Sequence, residues 1–179
     1  MKTRKLTLAG MLIALATVLS FIKLFDMPYG GSVTAASMVP IIIFSIMSDL
    51  KWGLVQATVY GVIQLMIGWY APPAQTFISF LLVILLDYVI AFGALGFAGS
   101  IYRKTGESAL GMTVSCLSVL FVRFLCHFAS GILIWGSFAP EGQPVWLYSL
   151  LYNGGYMLGE AAVSLVAVLL IRPKLKGKL

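Results

Sequence analysis

The polypeptide is divided into six apolar runs, at about 6–25, 35–47, 52–70, 76–98, 110–135 and 145–171, separated by short polar or Pro/Gly-bearing turns. A helix needs about 20 apolar residues to cross the hydrocarbon core of a bilayer. In lipid its backbone groups must bond to one another, so runs of this kind become spanning helices. The predicted fold is therefore an all-α, polytopic integral membrane protein with six transmembrane helices. All 179 residues are used by one such domain, residues 1–179, which leaves no room for a soluble ATPase or extracellular domain. Charged residues are only 10% of the chain, against about 25% in soluble domains. The basic N-terminus followed by an apolar run is reminiscent of a signal peptide, but no small-residue cleavage site follows it, and it is read as a retained first span.

The net charge of +6 does not point to nucleic acid, because the basic residues sit at the ends of apolar runs. With the N-terminus inside, the cytoplasmic segments hold Lys2, Arg4, Lys5, Lys51, Arg103, Lys104, Arg172, Lys174, Lys176 and Lys178, ten of the twelve cations. The outer loops hold only Asp26 and Glu141. This bias places both termini in the cytoplasm, and Trp69, Tyr70, Trp135 and Trp146 then form an outer aromatic belt. Cys116 and Cys126 share one predicted helix about 15 Å apart, too far for a disulfide.

Ionisable and polar residues within spans carry the functional information, because each is costly unless paired or used. They are Asp87 in span four, Arg123 and His127 in span five, and Asn153 and Glu160 in span six. Arg123, His127, Gly131 and Trp135 recur every four residues and form one stripe; Ser149, Asn153, Tyr156 and Glu160 form a second. His127 and Asn153 both lie about 12 Å below the outer surface. Gly131 leaves space beside His127 and Trp135, and Asp87 with Tyr88 closes the pocket, although residue counting sets Asp87 somewhat deeper. Tyr148 lies about 140° around an ideal helix from Asn153 and joins the pocket if span six starts irregularly. A carboxylate and a Trp face suit a flat cation; Asn and His suit the edge of a heteroaromatic ring.

Plainer readings stand beside these. Arg123 pairs with Glu160, or with Asp87, as an interhelical ion pair. His127 makes a helix-to-helix hydrogen bond, and Trp135 is an interface anchor. Gly10 and Ala14, four residues apart on span one, allow close helix contact, either inside the bundle or against another membrane subunit.

Several stretches carry a family resemblance: RFLCHFASG at 123–131, IWGSFAPEG at 134–142, WLYSLLYNG at 146–154, GGSVT at 30–34, SMVP at 37–40, KWGL at 51–54 and DYVIAFG at 87–93. Over nearly its whole length the chain resembles the thiamin-specific substrate-binding components of energy-coupling-factor importers. That resemblance implies a prokaryotic plasma-membrane protein that binds thiamin from outside through Asp87, Tyr88, His127, Gly131, Trp135, Tyr148 and Asn153. It also implies docking through Gly10 and Ala14 on a transmembrane coupling subunit that works with two cytoplasmic ATPases. No cofactor, metal or nucleic acid is expected, and no P-loop is present, so ATP is used by the partners alone. Two alternatives are a sister component for another ring-bearing vitamin such as riboflavin, and a small membrane enzyme using His127 and Arg123. Against the enzyme, no nucleophile accompanies them, and with one histidine no multi-histidine metal site can form.

Overall fold

The structure is a computed structural model and describes residues 2–175; Lys176 and Lys178, counted above for orientation, lie outside it. Six helices are present in the expected order: α1 (Lys2–Phe21), α2 (Val39–Met47), α3 (Leu50–Ile67), α4 (Phe77–Lys104), α5 (Ala109–Leu133) and α6 (Val145–Leu175). Five of them are long and apolar enough to cross a membrane; α2, with nine residues, is not. Side-chain caps fix the starts of three helices. Asp49 accepts from the Trp52 N–H, Thr76 from the Ser79 N–H and Ser108 from the Gly111 N–H, each satisfying a donor that the first turn leaves unpaired.

The largest departure from expectation lies between α1 and α2. The first span stops at Phe21, and the chain then forms an antiparallel hairpin of β1 (Lys23–Asp26) and β2 (Ser32–Thr34). Lys23 and Asp26, paired at 2.8 Å, keep this segment out of the apolar run. Helix α2 begins at Val39 rather than residue 35, because Ala36 adopts a left-handed backbone (φ 62°) that interrupts helical winding. Residues 35–38 are non-helical, and β2 before them reaches the buried Glu160 of α6. Non-helical chain at membrane depth is tolerated where protein surrounds it, and here Thr34 and Ala35 donate their N–H groups to Glu160 and Ile22.

Residues 39–46 of α2 are all buried, making it the centre of the bundle, packed on α1, α3, α4 and α6. Its far end meets the cytoplasmic face, where Asp49 pairs with Lys5 at 2.9 Å and Ser48 accepts from Arg103 at 3.1 Å. Helices α3 and α4 touch backbone to backbone: a Cβ on Gly96 would stand 2.7 Å from the Leu54 backbone. Helix α4 does not wind uniformly. Residues Val83–Ile90 are π-helical and Ala94–Phe97 are 3-10. Cys116 and Cys126 are buried free thiols.

Candidate functional site

The outer half of the bundle encloses a cavity of about 340 Å3 between α3, α4, α5, α6 and the hairpin. All seven residues expected at the pocket line it. At its centre is Asp87, carried on the π-helical stretch of α4. Its carboxylate accepts from His127 Nδ1 at 3.0 Å, Ser130 Oγ at 2.7 Å and Trp135 Nε1 at 3.2 Å. Residue counting set Asp87 too deep. The wide π turn climbs less per residue, and the Trp135 indole folds back from a 3-10 turn after α5, so all four groups meet at one level.

His127 does form the helix-to-helix hydrogen bond, yet that bond uses only one nitrogen. A carboxylate accepts only, so Nδ1 carries the proton towards Asp87. His127 Nε2 is buried without a protein partner, on a side chain lining the cavity. Trp135 is a wall of the cavity rather than a belt residue. It stacks with Phe138 (centroids 6.1 Å apart) and meets the edge of Tyr70 at 6.2 Å. Tyr88 donates to the Gly68 carbonyl at 2.5 Å and lies beneath Trp69, tying the α3–α4 loop to the rim.

Three expectations need correction. Arg123 pairs with neither Glu160 nor Asp87. Its guanidinium stands 4.3 Å from the centre of the Phe92 ring and donates to Met38 Sδ at 2.7 Å. Glu160 is held instead by Thr34, through the backbone N–H at 2.6 Å and the hydroxyl at 2.8 Å. Gly131 leaves no free space for a ligand, since a Cβ there would collide with Ser149 Oγ and stand 2.9 Å from Asn153 Nδ2; its bareness admits α6. Tyr148 reaches the cavity although α6 starts regularly, because Tyr148, Tyr152, Asn153, Tyr156 and Glu160 line it across an arc of about 140°.

Asn153 is a joint between helices. Its amide nitrogen lies near the His127 and Ser149 carbonyls and Ser149 Oγ, at 3.1–3.2 Å, and its oxygen accepts from Tyr156. The hairpin roofs the site. The Tyr152 hydroxyl donates to the Pro28 carbonyl and accepts from the Gly31 N–H, and Gly31 lies so close to Tyr156 that a Cβ would meet its ring at 2.6 Å. Sequence reading missed Ser130 and Tyr152, and it read the hairpin segment as a loop rather than a strand pair. Ser130 falls one turn after His127 and Tyr152 one turn after Tyr148, so helical spacing was an available signal for both; nothing local announced the roof.

On α1, Gly10 and Ala14 are both exposed, and a Cβ on Gly10 would meet nothing within 4 Å. The internal-contact reading therefore falls to Ala9 and Ala16, which are buried.

Comparison with known proteins gives a consistent answer. Residues 6–179 match the family described as thiamine transporter protein (Thia_YuaJ). Thiamine transporter ThiT of Bacillus subtilis is 34% identical over 169 residues, covering 88% of this chain and 84% of the relative. Thiamine transporter ThiT of Lacticaseibacillus paracasei is 30% identical over 93 residues, 47% of this chain and 46% of that one. A solved structure of ThiT from Listeria monocytogenes has the same fold, with a TM-score of 0.79 at 20% identity over 99% of this chain and 97% of its own. The chain is a multi-pass cell-membrane transport protein, not an enzyme, and belongs to the thiamine transporter protein family.

Proposed function

We propose that this protein captures thiamin from the outer side of the membrane in the α3–α6 cavity and hands it inward as the substrate-binding subunit of an energy-coupling-factor importer. The observation that carries the reading is the Asp87 carboxylate, oriented by three donors in an aromatic cavity. Thiamin brings a cationic thiazolium, which suits that carboxylate and the Trp135 face, and an aminopyrimidine, whose amino group suits the unpartnered His127 Nε2. In a low-dielectric site such charge complementarity outweighs what it is worth in water. Import against a gradient then draws on partner subunits, a membrane coupling protein and two ATPases, with Gly10 and Ala14 on the docking face. Family membership favours thiamin over riboflavin, and a transporter family removes the reading of His127 and Arg123 as catalytic groups.

Titration of detergent-purified protein with thiamin, followed by tryptophan fluorescence and calorimetry, tests the proposal. Saturable quenching is expected, with affinity about 10–100-fold weaker in Asp87→Asn. Neither quenching nor heat with thiamin, or an unchanged affinity in Asp87→Asn, overturns it.

A further inference from the structure

We propose that a groove on the lipid-facing surface between α4 and α5 seats one anionic phospholipid of the cytoplasmic leaflet. The groove has a volume of about 490 Å3 and follows α4 from Val89 to Lys104. Its floor is buried Ala94 and Val119; its walls are Ile90, Phe97 and Val122, each more than two-fifths exposed and therefore turned to lipid. Fifteen residues of helix extend about 22 Å, and half the hydrocarbon core is about 15 Å. The groove is thus long enough for one acyl chain and the ester level above it.

The order of groups identifies the occupant: from Val89 to Ile101 the lining is apolar but for Ser100 and Ser118, and it ends in the cation Lys104, as an acyl chain beneath an anionic headgroup requires. Charge identifies the headgroup. Lys104 closes the cytoplasmic end and is exposed. It takes part in neither of the lysine–aspartate ion pairs among the described residues, which are Lys5–Asp49 and Lys23–Asp26. Its neighbour Arg103 is engaged with the Ser48 carbonyl, so Lys104 is the cation left to face the groove. The α1 face that carries Gly10 is a different one, since α1 packs on α2 and α3.

Native mass spectrometry of the full chain with palmitoyl-oleoyl phosphatidylglycerol and phosphatidylcholine tests this. One phosphatidylglycerol should be retained in preference to phosphatidylcholine. Lys104→Gln should lower that retention about fivefold, Lys51→Gln should leave it unchanged, and Ser118→Phe, which fills the groove, should lower retention of both lipids. Val122→Trp on the exposed wall serves the same purpose if Ser118→Phe fails to fold. Equal losses in the two lysine variants, or full retention in a folded groove-filled variant, would refute the site. So would a lipid-free dimer that Ser118→Phe separates, since a second copy would then occupy the groove.

Discussion

Carboxylates survive in a membrane interior only where donors converge on them, and two do so here by different means. Asp87 is held by side chains that leave it facing a cavity; Glu160 is held by a backbone N–H and a hydroxyl that pin the roof. Gly131 shows how little slack surrounds the first arrangement. Gly131→Ala places a methyl against Ser149 and Asn153 and should cost about 1–3 kcal/mol, read as a lower melting temperature in detergent; an unchanged melting temperature would mean that α6 yields freely. At this scale the sequence was informative where one residue was expensive. Asp87, His127 and Trp135 could be singled out because an ionisable group in a span is costly unless paired or used and the three converge by helical spacing, although a plainer role was open to each. Arg123 could not be resolved: its partners, a thioether just before α2 and a ring face from α4, are chemically quiet and distant in sequence.

A helix capped by a carboxylate responds to pH in a calculable way. Asp49 lies between α2 and α3, where the hydrogen bond from Lys5 and then the Trp52 N–H hold its carboxyl below the ordinary 3.8. A depressed folded value means that its contribution is present above the ordinary value and lost as pH falls through the folded one. Asp49→Ala should therefore cost about 1 kcal/mol at neutral pH, and the difference in melting temperature from the parent should shrink below about pH 3.8. The hairpin is the other element with a measurable consequence. Thr34→Val keeps the N–H bond to Glu160 but deletes the hydroxyl donor, so ligand dissociation in stopped-flow fluorescence should quicken several-fold while association changes little. Element existence and order were legible from the apolar runs. The hairpin was not, because its residues read as an ordinary outer loop and its pairing with α6 is a long-range event.

At the scale of the molecule, the proposed function assigns binding and delivery to separate surfaces. Gly10→Leu adds a side chain where nothing stands within 4 Å, so thiamin affinity and melting temperature should be retained while uptake in cells falls steeply; lost binding would show instead that α1 shapes the cavity. The half-length α2 has a wider consequence. Counted by length alone, the bundle contains five crossings, an odd number, and its ends would fall on opposite sides of the membrane. The nine residues of α2, together with the extended chain before them, restore the parity. A count of the five long helices alone would therefore invert everything after α2, and a reporter fused after α6 would decide between the two topologies: active in the cytoplasm if α2 completes a crossing, silent there if it does not.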